Sequence, residues 1–322
     1  MLIPLMINIK LRMKGDKKMR GWILYDDFSP GLRKERHEID RFLEVAQEQN
    51  IDLKIVSPNQ FDLIVTRDAR DSVVIDGEVV PVPDFFIPRL GASTTYFALA
   101  VIRHLEQLGV YTVNSSTSIE AVKDKLYTQQ ILASRNMPVP KTMLAKYPVN
   151  VDLIEKQFGF PVIVKTLSGA QGTGVFLAES KSKFRDVMDL IDATNSGANI
   201  IIQEFVSSSK GRDLRVFVIG GRAIAAMERV SQDGNFKANL SQGGLSKKVE
   251  LTSEMEWMAT ETARILNLEV TGIDLLFDEN GHYKICEANS APGFKGLEEC
   301  CENINIPGSI FNFIRIRLGM FD

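Results

Sequence analysis

Histidine, cysteine and tryptophan are the residues that this chain uses least: its 322 residues include three histidines, three cysteines and two tryptophans. With so few histidines and thiols, the sequence offers no convincing Ser/His/Asp or Cys/His arrangement for nucleophilic catalysis. The cysteines are Cys286, Cys300 and Cys301, of which two are adjacent and none has Cys-x-x-Cys spacing. They indicate neither a disulfide framework nor a zinc site, and they predict a protein of the reducing cytoplasm.

An excess of positive charge is also missing. The chain carries 38 lysines and arginines against 41 acidic residues, so its net charge is −3. We therefore expect no nucleic acid and no membrane as a partner, although a local basic pocket remains possible. With 44% hydrophobic and 25% charged residues, the composition is typical of a soluble globular protein with two or three lobes.

The start of the chain does not indicate a signal peptide. Its apolar run is too short before a cluster of basic residues, and no small-residue cleavage site follows. We expect residues 1–18 to be a disordered extension, with the fold beginning near Met19.

Two large segments follow this extension. Residues 19–113 alternate short apolar strands with amphipathic helices, which predicts a small α/β domain. In open α/β sheets, ligands bind at the carboxyl ends of strands, so Arg89, which follows one such strand, is a candidate substrate anchor. A solvated surface arginine is an equally open interpretation. Residues 114–322 form the second domain, which opens with a predicted helix over 118–135 that carries Lys125.

A lysine and a glycine-rich loop stand together in the second domain. Lys165 ends an apolar strand, and residues 168–174 read SGAQGTG. Alternate glycines let backbone N–H groups turn toward one point, which suits phosphate oxygens. The loop joins two strands, so it is neither a Walker loop nor a Rossmann fingerprint. It predicts a flexible lid over phosphates, and an ordinary flexible hairpin loop is the alternative.

Two arginines interrupt strands that otherwise look buried. Arg215 lies in the predicted strand over 213–219 and Arg229 in the one over 223–230. A buried guanidinium is costly unless it is paired or faces a polar site. Both arginines are therefore candidate functional residues.

A predicted hairpin near the end of the chain carries two facing carboxylates. Its β-prone runs flank Asn280-Gly281, a dipeptide typical of two-residue hairpin turns. With that turn, Asp274 lies opposite Glu287, and Asn289 shares their face. Two carboxylates and an amide oxygen are hard ligands that suit Mg²⁺, whereas a solvated acidic face is the alternative for this segment alone. With a three-residue loop, Asp274 would no longer lie opposite Glu287.

Taken in chain order, seven motifs resemble those of the ATP-grasp superfamily, and specifically of the RimK-like amino-acid ligases. The matching segments are VIVK at 162–165, SGAQGTGV at 168–175, GRDLRVFVIGG at 211–221, AAMER at 225–229, FKANLSQGG at 236–244, GIDLL at 272–276 and EANSAPGF at 287–294. A weaker likeness extends to IPRLG at 87–91 and to Asp124-Lys125.

The resemblance implies an α+β ATP-grasp fold, in which two antiparallel-sheet subdomains sandwich ATP, preceded by a small α/β pre-ATP-grasp domain over 19–113. The subdomains would be a lid over about 136–203 and a metal-binding unit over about 204–322.

The resemblance also implies a role for each matching residue. Phosphate-side and lid contacts to ATP would come from Lys125, Lys165, Ser168, Gly169, Gly172 and Gly174. Further nucleotide contacts would come from Glu204, Phe205 and Val206 on the adenine and ribose side, and from Asp213, Lys237 and Asn239. The metal ligands would be Asp274, Glu287 and Asn289, holding two Mg²⁺ or Mn²⁺ ions, and the catalytic arginines would be Arg229 and Arg215. Substrate contacts would come from Arg89, Ser241, Gly243, Gly244, Ser290 and Gly293. Many relatives have arginine where this chain has Lys237, which weakens any bidentate recognition there.

The implied activity is ATP-dependent ligation of a carboxylate to an amine through an acyl phosphate. The added amino acid would be glutamate or a relative, and the acceptor a peptide, a protein C-terminus or a small acid, which residues 19–113 do not identify. A nucleotide-binding sensor or scaffold without turnover, and a phosphotransferase, are the alternatives on the same fold. We also expect a homo-oligomer, either a dimer or a tetramer.

Overall fold

The computed structural model describes residues 18–26, 36–66, 72–91, 94–145, 148–167, 174–194, 199–232, 234–236, 238 and 244–320. The expected extension lies outside these ranges except for its last residue. Seven predicted site residues also lie outside them, namely Ser168, Gly169, Gly172, Lys237, Asn239, Ser241 and Gly243. Within the described ranges, no helix has both the length and the apolar character needed to cross a membrane.

A parallel sheet forms the first lobe, as the alternating strands and helices predict. Its elements are β1 (Arg20–Leu24), α1 (Arg36–Glu48), β2 (Asp52–Val56), β3 (Phe61–Leu63), β4 (Val73–Ile75), β5 (Glu78–Val79), β6 (Phe85–Pro88), α2 (Tyr96–Gln107) and β7 (Tyr111–Thr112). Four strands pair in parallel in the order β2-β1-β6-β7, and β3, β4 and β5 form a small antiparallel sheet. Strand β6 is buried along its whole length, which explains its uninterrupted apolar sequence.

Two short helices connect the first lobe to the rest of the chain. They are α3 (Ser116–Lys123) and α4 (Lys125–Ser134). The prediction of one helix over 118–135 is wrong because Asp124 adopts an extended conformation between them. Its carboxylate accepts hydrogen bonds from the N–H groups of Leu126 and Tyr127, both at 2.9 Å, and so caps a new helix.

The second lobe contains a four-stranded antiparallel sheet. Its elements are β8 (Thr142–Leu144), α5 (Val151–Phe158), β9 (Val162–Thr166), β10 (Val175–Ala178), α6 (Lys181–Thr194) and β11 (Ile200–Glu204). The strand order is β10-β9-β11-β8. Gly174, just before β10, has a φ of +75°, and a Cβ there would lie 2.2 Å from the Thr166 hydroxyl oxygen. Only glycine fits this close strand connection.

A five-stranded antiparallel sheet forms the third lobe. Its elements are β12 (Arg212–Ile219), β13 (Arg222–Val230), β14 (Leu245–Val249), α7 (Ser253–Ile265), β15 (Val270–Phe277), β16 (Tyr283–Asn289), α8 (Lys295–Cys300) and α9 (Ile306–Leu318). The strand order is β14-β13-β12-β15-β16, so β16 is an edge strand. Two antiparallel sheets after an α/β lobe agree with the predicted fold class.

The first and third lobes have a hydrophobic core in common, whereas the second lobe has a separate one. One core joins the first lobe to a face of the five-stranded sheet, where Phe311 of α9 packs against Phe42 and Phe85 with ring centroids 5.7 and 6.0 Å apart. A second core lies on the opposite face, under α7 and α4. The second lobe has a core of its own, around Phe184 and Ile154.

A buried asparagine fastens the first lobe to the third. Asn114 is fully buried, and its side-chain oxygen accepts hydrogen bonds from the N–H groups of Glu269 and Val270 at 2.7 and 3.0 Å. Its side-chain nitrogen donates to the carbonyl groups of Val270 and Ser290 at 2.7 and 2.8 Å. All four hydrogen-bonding positions of the amide are therefore satisfied.

We expect Asn114→Ala to lower the free energy of unfolding by roughly 2–4 kcal/mol, because it leaves several buried backbone groups without partners. Urea titration followed by circular dichroism measures this change. Asn312→Ala is the matched control, since Asn312 is exposed and accepts one hydrogen bond from Arg315. Equal losses in the two variants would show that Asn114 does not fasten the lobes.

Candidate functional site

The β15–β16 hairpin has the predicted register between Asp274 and Glu287, but its loop differs from the predicted two-residue turn. Asp274 pairs with Glu287, as the sequence predicts. The two-residue turn is wrong: the N–H of Asp278 donates to the carbonyl of His282 at 2.7 Å, so three residues form the loop. A β-bulge between the Asp274 and Leu275 pairs compensates, because Leu275 pairs with Ile285 and one residue of β16 is skipped. The two one-residue irregularities cancel.

Four charged side chains form one network on neighbouring strands of the five-stranded sheet. Arg215 binds Asp274 in bidentate fashion, with Nε–Oδ1 and Nη2–Oδ2 distances of 2.7 and 2.8 Å. Arg229 binds Asp213 in the same way, at 2.6 and 2.7 Å. Arg229 Nη2 also lies 2.9 Å from Asp274 Oδ2, which joins the two pairs. The candidate arginines are thus paired, as burial requires.

Burial and ion pairing set the charge state of this network. Asp274 is 5% exposed and Arg229 4% exposed. Burial opposes the ionisation of Asp274, but the guanidinium groups of Arg215 and Arg229 outweigh it and lower the pKa of the carboxyl group. Although burial acts against the charge of Arg229, Asp274 and Asp213 raise its pKa. Asp274 is therefore a carboxylate, and Arg229 a cation, at neutral pH.

The three predicted metal ligands lie together at the edge of the sheet. Asn289 Nδ2 is 3.4 Å from Asp274 Oδ2, and Glu287 is half-buried beside them. Among the described residues, no cluster of three or more Asp, Glu, His or Cys side chains suits a metal ion. The set here has two carboxylates and one amide, and this hard-oxygen chemistry fits Mg²⁺.

Lys165 reaches from the second lobe toward the same hairpin. Its Nζ donates to Gln203 Oε1 at 2.6 Å and lies 4.0 Å from the sulfur of Cys286. Cys286 is the residue that the bulge skips, directly before Glu287. Burial raises the pKa of its thiol to about 11, so the thiol is neutral. The structure thus brings the predicted phosphate lysine next to the predicted metal ligands.

Glu204, at the end of β11, also links the second and third lobes. Its Oε1 accepts a hydrogen bond from Lys284 Nζ at 2.6 Å, and its Oε2 accepts one from the N–H of Lys141 at 3.0 Å. Phe205 is half-buried and Val206 is buried beside it. Lys284 was not predicted as a site residue, although a lysine inside an apolar strand is the same signal that indicated the two arginines.

Three of the predicted substrate residues, Arg89, Ser290 and Gly293, lie in or against the turn that follows β16. Arg89 is 2% exposed, so the interpretation as a solvated surface arginine is wrong. Its Nη1 donates to the carbonyl of Pro292 at 3.0 Å. Glu38, which the sequence analysis missed, accepts hydrogen bonds from the N–H groups of Phe294 and Lys295 at 3.1 and 3.2 Å. Glu38 lies in an amphipathic helix, where charged residues are common, so the sequence did not distinguish it from a solvated side chain.

Gly293 lies against Glu38, since a Cβ on it would be 3.2 Å from Glu38 Oε1. The carbonyl of Ser290 is held by Asn114. Gly244 lies directly before β14. Lys125 is half-buried and is the first residue of α4.

Two family models match the chain and together cover most of it. The RimK pre-ATP-grasp domain matches residues 32–119, and the RimK-like ATP-grasp domain matches residues 122–314. A protein of Hydrogenovibrio crunogenus named probable alpha-L-glutamate ligase is 38% identical over 85% of this chain and 90% of its own length. A Legionella pneumophila protein of the same name is 37% identical over 84% of this chain and 88% of its own length.

Solved structures show the same fold at lower identity. The ATP-grasp ligase PsnB in complex with its minimal precursor superposes with a TM-score of 0.72 at 18% identity, covering 94% of this chain and all of that chain. The D-alanine–D-alanine ligase of Bacillus anthracis gives 0.68 at 15% identity, covering 93% and 97%. The predictions of the fold class and of an ATP-grasp ligase are confirmed, and the chain belongs to the RimK-like ATP-grasp family.

Proposed function

We propose that this chain is an ATP- and Mg²⁺-dependent ligase that joins L-glutamate through its amino group to the carboxylate of a peptide, a protein C-terminus or a small acid. The observation that carries the proposal is the Asp274–Glu287 pair, with two paired arginines on one side and Lys165 on the other. Two relatives that are 38% and 37% identical are named probable alpha-L-glutamate ligases, which supports glutamate as the added amino acid. PsnB structures with Mg and ADP or with AMPPNP support the nucleotide and the metal.

The metal ligands would contribute unequally. Asp274 accepts three hydrogen bonds from guanidinium groups and a long one, at 3.4 Å, from the side-chain nitrogen of Asn289, so little of its carboxylate is left for a metal ion. The side chain of Glu287 has no hydrogen bond or ion pair to any other described residue. Asn289 makes only long contacts through its nitrogen, which leaves its oxygen for a ligand. We propose that Glu287 is the main ligand of two Mg²⁺ or Mn²⁺ ions, which would neutralise phosphate charge.

The nucleotide would lie between the two antiparallel sheets. Lys165 uses one of its three N–H donors on Gln203 and directs a second, over 4.0 Å, at the sulfur of Cys286, which leaves at least one for phosphate oxygens. We propose Lys125 as a second phosphate contact, and Glu204 with Val206 on the adenine and ribose side. The lid loop before Gly174 and the residues Asp213, Lys237 and Asn239 would complete the nucleotide site.

The proposed reaction has two displacement steps. A carboxylate oxygen of the acceptor attacks the γ-phosphorus of ATP and ADP leaves, which forms an acyl phosphate. The amino group of glutamate then attacks the acyl carbon, loses a proton, and phosphate leaves. Arg229 and Arg215 would stabilise the charge on the transferring phosphoryl group, because Asp213 and Asp274 already hold them in place. No nucleophilic side chain is needed.

The turn after β16 would hold the reacting carboxylate. Arg89 would act through this turn, since it donates to the Pro292 carbonyl. Ser290 and Gly293 lie in the same turn, and Ser241, Gly243 and Gly244 would contact substrate from the segment before β14. A cytoplasmic location and a homo-oligomer remain predictions.

A direct assay tests the proposed reaction. The protein is incubated with ATP, Mg²⁺, L-glutamate and pools of peptides or small acids, and phosphate release and product mass are measured. We expect phosphate release together with a product heavier by one glutamyl residue. No phosphate release would favour a sensor or scaffold, and phosphate transfer without a new amide would favour a phosphotransferase.

We expect Glu287→Gln to lower kcat by roughly 10²- to 10³-fold with the fold retained, because it weakens binding of the metal ions that would stabilise the transferring phosphoryl group, while the Glu287 carboxylate has no partner among the described residues. Steady-state kinetics and a melting curve measure the two effects. Glu279→Gln is the matched control, since Glu279 is exposed in the loop of the same hairpin. Near-normal turnover in Glu287→Gln would contradict the metal assignment.

Arg229→Met should lower the free energy of unfolding by about 3–5 kcal/mol, because it leaves Asp213 and Asp274 as two buried carboxylates with one remaining guanidinium. It should also abolish turnover. Arg222→Met, an exposed position on the same strand, is the control and should change neither property appreciably. Chemical denaturation and the ligase assay measure the effects. A stable Arg229→Met protein would mean that the network is not required to balance these charges.

A further inference from the structure

The bulge in β16 is held from outside the sheet by helix α4. Cys286 lies opposite no residue of β15, and its carbonyl group accepts a hydrogen bond from outside the sheet. Gln129 of α4 donates a hydrogen bond from Nε2 to this carbonyl at 3.1 Å. The N–H of the preceding residue, Ile285, donates to the carbonyl of Pro138 at 2.8 Å. The bulge therefore has fixed partners on the free edge of the sheet.

A buried glutamine at position 129 lowers stability, because one of its polar atoms is desolvated without a hydrogen bond to the described part of the chain. It is 5% exposed, and its Oε1 is buried without a hydrogen-bond partner among the described residues. The orientation of the amide is fixed, because only its nitrogen can donate to the Cys286 carbonyl. Leucine would suit the helix and the surrounding apolar core without leaving a buried acceptor unpaired. The glutamine is therefore explained by the carbonyl group that it holds.

We propose that Gln129 is a positioning residue for the metal site, because it pins the bulge that brings Glu287 opposite Asp274. Side chains alternate between the faces of a strand, so loss of the one-residue bulge would turn Glu287 to the opposite face. The three-residue loop of the hairpin makes this bulge necessary. The inference rests on the proposed function and adds to it a residue that contacts neither nucleotide nor metal.

Gln129→Leu tests this role, and Gln130→Leu is the matched control, because Gln130 is the next residue of the same helix and is exposed. Isothermal titration measures the affinity for Mg²⁺ in the presence of saturating ADP, and separately the affinity for ADP without metal. We expect Gln129→Leu to weaken Mg²⁺ binding about 10-fold or more, as loss of a group that orients a metal ligand typically does. We expect metal-free ADP binding to stay unchanged and Tm to stay equal or rise.

The possible results distinguish a wrong role for Gln129 from a wrong ligase function. If the wild-type protein and Gln130→Leu bind ADP without any effect of Mg²⁺, the proposed function is wrong and the inference falls with it. If both bind Mg²⁺ and Gln129→Leu binds it equally well, the inference alone is wrong. If Gln129→Leu is unfolded, Gln129→Met replaces it as a flexible isostere. Loss of the fold in both variants would make Gln129 a structural residue and would overturn the inference.

Discussion

The burial of Asp274 is the constraint on which the five-stranded sheet depends. An ionised carboxylate that is 5% exposed is tolerated only when opposite charge and hydrogen bonds surround it, and Arg215 and Arg229 supply both. Arg229 is buried in turn and needs Asp213 as a second counter-charge. The two arginines and two aspartates thus form an ion-pair network with no net charge across β13, β12 and β15. A slip of one residue in any of these strands would separate the charges.

A buried network of this kind is more important for geometry than for stability, because desolvation offsets much of the attraction between the charges. Apolar side chains of similar volume would serve the fold as well. The network instead holds two guanidinium groups in fixed positions against Asp274, the strand partner of Glu287. Preorganised charge is what phosphoryl transfer requires most, since the reacting groups themselves come from the substrates.

The sequence predicted those features that depend on local periodicity and on the cost of buried charge. Arg215 and Arg229 stood out because an arginine in an apolar strand needs a partner, and each has one. The pairing of Asp274 with Glu287 was predicted as well, yet the predicted turn is wrong and only the bulge restores the register. That bulge depends on a glutamine 157 positions away from Cys286, which no local pattern reveals.

Contacts between distant segments account for the other features that the sequence did not predict. Asn114 and Glu38 each hold backbone groups between 155 and 257 positions further along the chain. Nothing near either residue indicates such a partner. The break at Asp124 was missed because a charged residue inside an amphipathic pattern looks like a solvated helix face. The roles of the individual site residues remain predictions, which the assays above address.

The position of Phe311 has a consequence for how the protein forms during synthesis. This ring packs against Phe42 and Phe85, so the core of the first lobe includes a residue made 226 positions after Phe85 (311 − 85). Domains generally fold in the order in which they emerge, N-terminal first. Here the first lobe emerges early, but the apolar surface of Phe42 and Phe85 that contacts Phe311 is covered only after α9 has been made. The second lobe has a core of its own, so that core needs no segment made after β11.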